Sequence, residues 1–247
     1  MTTLNLTTPY RPADTSAGRH RGLGALLIAD GLLAFAPLIV LGAAIGWPAS
    51  LGNPAAEQLA AIHANVGAVQ LGYGLYLLYS VLVAPVMIGL AARTFGGLGH
   101  ALPASVAAFA ALSVLARAIG ILRWLTVMPM LAASHAAADP ATRAQIELLF
   151  NAITEYGGGI GEILGVSLFM ACSLGLLSVG AWRSGGLPRW LSAFGMLATL
   201  ALAALAVPAF GGPDFMPVAA AVTGVTLWML AAGAWCLLAD RGTAAPR

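Results

Sequence analysis

Four charged side chains interrupt two neighbouring apolar stretches of the sequence. Arg117 and Arg123 lie within one stretch, and Glu155 and Glu162 lie at the start of the next. An ionisable group inside a membrane costs about 2.5–3.5 kcal/mol on the insertion scale, so each one requires a compensating interaction or a function. Opposite charges on adjacent helices would either neutralise each other or hold the polar head of a ligand.

Helical rise indicates which of these charges meet. Counting about 1.5 Å per residue from the ends nearer the arginine-rich loops places Arg123 and Glu162 both about 28 Å deep, and Arg117 about 20 Å deep. We therefore predict an Arg123–Glu162 pair with Arg117 beneath it. Glu155 precedes Glu162 by seven residues, so it shares that helix face nearer the surface.

Small residues run beside the two glutamates. Gly157, Gly161 and Gly165 recur every four positions, a spacing that permits close approach of another helix. Two interpretations of the charged cluster stay open. One is an ion-pair network that fixes helix register, in which losing one partner costs about 3–5 kcal/mol. The other is an outward-opening polar pocket, with arginines holding an anionic or carbonyl group and Glu162 gating or transferring a proton.

Other polar residues are candidates for the same pocket. Asp30 lies about 12 Å into the first apolar stretch, where no arginine has the same depth. We expect it to be protonated or to bond to a serine or backbone group. Gln70, Tyr73 and Tyr76 lie in the second stretch, and their alternative role is interhelical hydrogen bonding.

Cofactor chemistry has little support in the sequence. None of the four histidines lies mid-stretch, so no cofactor is predicted, and a haem held between His63 and His135 is the one alternative. No metal site is predicted, because zinc at this pair lacks a third ligand. The chain contains no lysine, which excludes a retinal Schiff base, a pyridoxal lysine and a Walker-type phosphate loop.

The amino-acid composition indicates what kind of secondary structure positions these residues. Of 247 residues, 60% are hydrophobic and 8% are charged, whereas soluble domains have about 25% charged residues. The lipid bilayer must therefore be the main solvent, and the net charge of +2 gives no reason to expect a nucleic-acid partner. We predict an all-α polytopic bundle of about six transmembrane helices. The predicted spans are Gly22–Ile45, Val66–Ala92, Ala104–Leu131, Tyr156–Ala181, Arg189–Phe210 and Met216–Ala239.

Arginines predict the orientation. Eight of them flank the spans on one face and only Arg143 lies on the other. By the positive-inside rule both termini are cytoplasmic, and we predict a bacterial inner-membrane protein. Residues 1–21 form a predicted disordered tail, 22–240 the membrane domain and 241–247 a second tail. Short amphipathic helices are predicted on the outer side at 55–66 and 141–154, following Asn53-Pro54 and Asp139-Pro140.

One loop resembles a known family. The segment from Trp182 to Leu191, with its Pro188-Arg189 pair, is similar to a recurring loop of the bacterial membrane family called domain of unknown function 4386. The family's Arg-x-x-Gly entry to its first helix resembles the segment from Arg19 to Gly22, and Arg117 resembles its third-region arginine. In the loop, Ser192 replaces the family's usual glycine. The resemblance implies a multi-pass inner-membrane fold and no established activity.

Three functions follow from these observations. The leading hypothesis is a membrane protein that binds or transports a small amphipathic or lipid-like molecule at the Arg/Glu site. The second is an intramembrane enzyme that uses Glu162 as acid or base on a lipid or isoprenoid-like substrate. The third is a non-catalytic regulatory or scaffold subunit that associates with another membrane protein or with copies of itself.

Overall fold

The computed structural model describes residues 17–239, with side chains from residue 21. Within that range all of the regular secondary structure is helical. The predicted tails lie outside it, apart from residues 17–21, with which the first helix begins. The elements are α1 (Ala17–Leu33), α2 (Phe35–Ile45), α3 (Ala55–Ala64), α4 (Val66–Phe95), α5 (Ala101–Leu125), α6 (Val127–Ala137), α7 (Pro140–Gly158), a π-helical segment (Gly159–Phe169), α8 (Met170–Ser184), α9 (Arg189–Ala204) and α10 (Val218–Ala239), with short 3₁₀ turns at Ala49–Gly52 and Val207–Phe210.

Five helical runs are long and apolar enough to cross a membrane, and α9 is a shorter apolar sixth. This confirms the predicted all-α multi-pass architecture with about six spans. The predicted fifth span, Arg189–Phe210, consists of α9 and the 3₁₀ turn that follows it. The five long runs are Arg21–Ile45, Val66–Phe95, Ala101–Ala137, Pro140–Ser184 and Val218–Ala239.

Prolines explain two of the breaks between helices. A proline ring clashes with the carbonyl four residues earlier and cannot donate to it. Pro129 has this relation to Leu125, where α5 ends, and Pro37 has it to Leu33, where α1 ends. At Pro129 the helix is therefore broken into α5 and α6. Pro85 lies inside α4, which continues past it.

The two predicted outer helices are present. α3 begins directly after Pro54 and leads into α4, and α7 begins at Pro140 and continues into the π segment. Asp139 caps α7, because its carboxylate accepts hydrogen bonds from the backbone N–H groups of Ala141 and Thr142. Such a cap satisfies amide groups that have no partner within the helix.

The spanning helices form a ring at the level of the charged cluster. α1 packs on α4, α4 on α5, α5 on the π segment, the π segment on α9, α9 on α10, and α10 on α1. α8 packs against α4, α5 and α9 and fills the ring towards one end. The helix ends on that side carry Arg93, Arg183 and Arg189, and we call it the arginine side. The other end, which carries α3 and α7, is the acidic side.

Candidate functional site

The site is built on very close contact between α5 and the π segment. A Cβ added to Gly120 would lie 2.8 Å from Gly161 Cα and 2.9 Å from Gly157 O. The two backbones therefore touch, which confirms that the predicted glycine stripe admits another helix. That helix is α5 of the same chain.

The same stripe makes room for both arginines. Arg123 crosses Gly157, where an added Cβ would lie 2.7 Å from Arg123 Cδ. Arg117 crosses Gly165, where an added Cβ would lie 2.9 Å from Arg117 Cγ. The glycines thus let two long cationic side chains lie between α5 and the π segment.

Arg123 lies among the predicted acidic and aromatic partners. Its charge acts on Glu162, Tyr73 and Glu155. No contact-distance ion pair joins Arg123 or Glu162 to any side chain between residues 21 and 239. The predicted neighbours are therefore close enough to interact electrostatically while remaining separate. Glu162 and Glu155 are exposed at the protein surface, and Arg123 is half-buried.

Arg117 has a partner that depth counting missed. It is 4% exposed, and its charge acts on Asp30, which is fully buried on α1. Helical side chains lean towards the N-terminus of their helix, and α5 begins on the arginine side. Arg117 therefore reaches down towards the depth of Asp30. A count of backbone rise alone cannot include this lean.

Several buried polar atoms of the cluster have no hydrogen-bond partner among the described residues. They are Asp30 Oδ1 and Oδ2, Tyr73 OH, Ser80 Oγ, Arg117 Nε, and Arg123 Nε and Nη1. Buried polar groups in folded proteins almost always have partners, because desolvating one without compensation is costly. These donors and acceptors come from α1, α4 and α5. They are the polar atoms of the cluster that a bound ligand could contact.

Aromatic rings line α4 beside these groups. Tyr73 stacks on Trp124 with ring centroids 4.7 Å apart, and Tyr76 lies 6.1 Å from Tyr79. The Arg117 guanidinium lies over the Tyr79 ring at 5.9 Å, within the range of a cation–π contact. Tyr79 was not predicted as a site residue. The signal for it was the three-residue spacing from Tyr73 through Tyr76, which puts all three rings on one face.

Gln70 has a structural contact. Its Nε2 donates to Leu125 O at 3.4 Å, which is the carbonyl that Pro129 leaves without its helical partner. This is the interhelical hydrogen bond that the sequence offered as the alternative to ligand binding. The structure therefore gives Gln70 a partner, in contrast to Tyr73 on the next turn.

Glu162 lies in an uncommon backbone conformation. The π segment is 11 residues long, whereas most π-helical stretches are single-turn bulges, which are frequent at functional sites. Buried serines bond to this region: Ser113 Oγ donates to Gly165 O at 2.7 Å, and Ser167 Oγ donates to Leu202 O at 2.5 Å. The conformation that presents Glu162 is thus fixed from α5 and from the end of α9.

The histidines that the structure describes are not part of the charged cluster. His135 Nε2 lies 2.9 Å from Glu147 Oε1, a hydrogen-bond contact that joins α6 to α7. Between residues 17 and 239, no three histidine, cysteine, aspartate or glutamate side chains are grouped as a metal would require. A haem held by His63 and His135 stays a prediction.

Comparisons with known proteins agree with the architecture. No curated protein and no solved structure matches the chain. The family model described as "Domain of unknown function (DUF4386)" matches residues 23–237, which include the whole charged cluster and all but the two outermost residues of the first and last spans. The chain is therefore a multi-pass membrane protein that belongs to the DUF4386 family.

Proposed function

We propose that this protein binds, and in doing so transports or presents, a small amphipathic or lipid-like molecule whose polar head enters the Arg/Glu site. The observation that carries the proposal is the set of buried polar atoms on α1, α4 and α5 that have no partner among the described residues. A fold that keeps two arginines and an aspartate in this state sustains a large cost. A ligand that supplies the missing partners offsets that cost.

The unpaired atoms define the chemistry of the head group. Arg117 and Arg123 present guanidinium donors, which suit a phosphate, carboxylate or carbonyl oxygen. Asp30 and Glu162 present acceptors, which suit a hydroxyl or amine on the same molecule. The rings of Tyr73 and its neighbours offer an apolar wall for the rest of the ligand. A polar head with both acceptor and donor groups, attached to an apolar body, fits this set.

Orientation follows from charge. On the positive-inside rule we propose that the arginine side faces the cytoplasm and that the protein lies in a bacterial inner membrane. The exposed Glu155 and Glu162 then face the outer half of the bilayer, while Arg117 and Asp30 lie deeper. A ligand would enter from the outer leaflet, meeting Glu162 and Arg123 before it reaches Arg117.

An enzymatic role is the second candidate, and one observation favours it. Glu162 is exposed and makes no contact-distance ion pair between residues 21 and 239, so a bound substrate can reach its carboxylate as acid or base. A scaffold role loses one proposed surface, because the glycine stripe is occupied by α5. A partner protein or second copy would have to use another face.

The test is extraction of bound molecules from protein purified in mild detergent, followed by mass spectrometry. We expect a specific small molecule in the wild-type extract, and its loss in Glu162→Gln and Arg123→Met. Glu57→Gln is the matched control, since Glu57 is an exposed glutamate on α3, away from the cluster. Size-exclusion profiles verify that each variant is folded, and an absorbance scan tests for haem.

The outcomes separate the candidates. Identical extracts from the wild type and the folded Glu162→Gln variant, with bulk lipid alone, would contradict ligand binding and leave a structural ion network. A molecule that the wild type converts to a product, and that Glu162→Gln binds without converting, would establish the enzymatic candidate.

A further inference from the structure

A second candidate binding site lies on the arginine side, away from the charged cluster. A groove of about 560 Å³ runs between the end of α4, the start of α5 and the last three turns of α8. Its volume is within the range of about 300–1,000 Å³ that small-molecule sites have. The walls are mainly apolar, with Phe95, Leu102, Leu176 and Val179 along the length and Arg183 at one end.

The groove is a consequence of a glycine on α8. A Cβ at Gly180 would lie 2.7 Å from Leu102 Cδ2 and 2.8 Å from Phe95 Cζ. These two side chains therefore rest directly on the α8 backbone and form the floor. Val179, one position earlier, is exposed and forms a wall.

Tryptophans indicate how the groove lies relative to the membrane. Trp182 and Trp190 are both exposed, as residues of an interfacial aromatic belt are, and Arg189 lies 5.9 Å from the Trp182 ring. Arg183 follows Trp182 and thus lies at the level of lipid head groups. Gly175, at the other end, is eight residues deeper than Arg183, about 12 Å into the hydrocarbon.

The charged residues near the groove indicate which lipid head group it would bind. Arg183 is exposed, and no described residue pairs with it. The loops of this side between residues 93 and 100 and between 183 and 189 contain arginines and a histidine but no acidic residue. Basic pockets between membrane helices suit anionic head groups.

We infer that this groove is a binding site for an anionic glycerophospholipid of the adjoining leaflet, with one acyl chain along Leu176 and Val179 and its phosphate on Arg183. The apolar length and the terminal cation match the two parts of such a lipid. This site is independent of the Arg/Glu site, so failure of either proposal leaves the other intact.

Native mass spectrometry of the full chain tests the inference. Delipidated protein in detergent is mixed with phosphatidylglycerol or phosphatidylcholine of identical acyl chains, and bound lipids are counted. We expect the wild type to retain phosphatidylglycerol preferentially, and Arg183→Gln to weaken this binding about fivefold, as loss of one basic group near a lipid surface predicts. Val179→Trp fills the groove and is expected to abolish the preference.

Arg189→Gln is the matched control, because it removes the same charge from the same loop without lining the groove. Equal losses in Arg183→Gln and Arg189→Gln would show general surface attraction and overturn the site. Equal retention of the two lipids by the wild type would overturn the choice of an anionic head group. Unchanged binding by the folded Val179→Trp variant would overturn the groove as the location.

Discussion

The α6–α7 corner and the α5–π interface both hold arginines and carboxylates, but they use them in opposite ways. In the corner, Arg143 Nε donates to His135 O at 3.1 Å, and His135 pairs with Glu147 at 2.9 Å. Thr142 donates to Asp139 through both its backbone N–H and its hydroxyl, at 3.1 and 2.8 Å. Every one of these partners lies within 12 residues along the chain.

Around the α5–π interface and on α1, the charged groups come from separate helices. Arg117 Nε, Arg123 Nε and both Asp30 oxygens have no partner among the described residues. Arg117 and Asp30 lie 87 positions apart in the sequence and are almost completely buried. Here the charges act on one another over distance and not through contacts.

The difference separates charges that make local contacts from charges for which we propose a role in binding. In the corner, water competes for each group, so local contacts are weak individually and fix only the turn. At membrane depth the same groups are strongly coupled, because no water screens them. Buried charges without hydrogen-bond partners are costly at this depth, and the proposed ligand would offset that cost.

The largest expected effect is at Arg117. Replacing it with methionine leaves the buried Asp30 without its cation, which costs about 3–5 kcal/mol. Adding Asp30→Asn to the same protein should restore most of that loss, because the uncompensated charge is gone. The free energy of unfolding, measured by SDS titration in mixed micelles, checks both variants. Arg143→Met in the corner should have a much smaller effect, and a double variant no more stable than Arg117→Met would disprove the coupling.

A smaller effect is expected at the glycine contact. Gly120→Ala inserts a methyl group against the backbone of Gly157 and Gly161, which must separate the two helices at a cost of about 1–3 kcal/mol. Gly159→Ala is the control, since a Cβ there meets nothing within 4 Å. The same SDS titration compares them. Equal stability of the two variants would mean that the helices are not in backbone contact.

Residue spacing in the sequence predicted the features that follow from the geometry of a single helix. The four-residue glycine repeat predicted the close approach, whereas matched depths predicted an Arg123–Glu162 pair that is not at contact distance among the described residues. Asp139-Pro140 predicted the start of α7. Each of these follows from the rise and periodicity of a single helix, which the sequence carries directly.

Interactions between different helices of the ring could not be predicted from spacing along one helix. The Arg117–Asp30 relation depends on which helices are neighbours and on how far a long side chain leans. The long π segment could not be predicted, because no residue spacing in Gly159–Phe169 distinguishes a π-helix from an α-helix. Pro37 is different: its position four residues after Leu33 carries the same break signal as Pro129, and Tyr79 continues a visible tyrosine ladder.

Gln70 tests whether a satisfied polar group stays out of ligand binding. Gln70→Leu removes the donor to Leu125 O, and at 3.4 Å we expect a loss near the lower end of about 0.5–1.5 kcal/mol. The amount of extracted small molecule should be unchanged, since the Gln70 amide already has a partner. Loss of that molecule in a stable Gln70→Leu protein would place Gln70 in the site and weaken the contrast between the two regions.

The smallest effect belongs to the corner and depends on pH. The backbone N–H and hydroxyl of Thr142, with the N–H of Ala141, hold the pKa of Asp139 below its ordinary value. A carboxylate whose folded pKa is lowered stabilises the fold above its unfolded pKa, about 3.9, and this contribution is lost as pH falls through the folded pKa. Asparagine caps a helix about as well as aspartate but does not titrate. The melting temperature of the wild type should therefore fall more steeply than that of Asp139→Asn below about pH 4. Parallel melting curves over that range would show that the cap contributes nothing to acid stability, and that this corner is held by its other contacts.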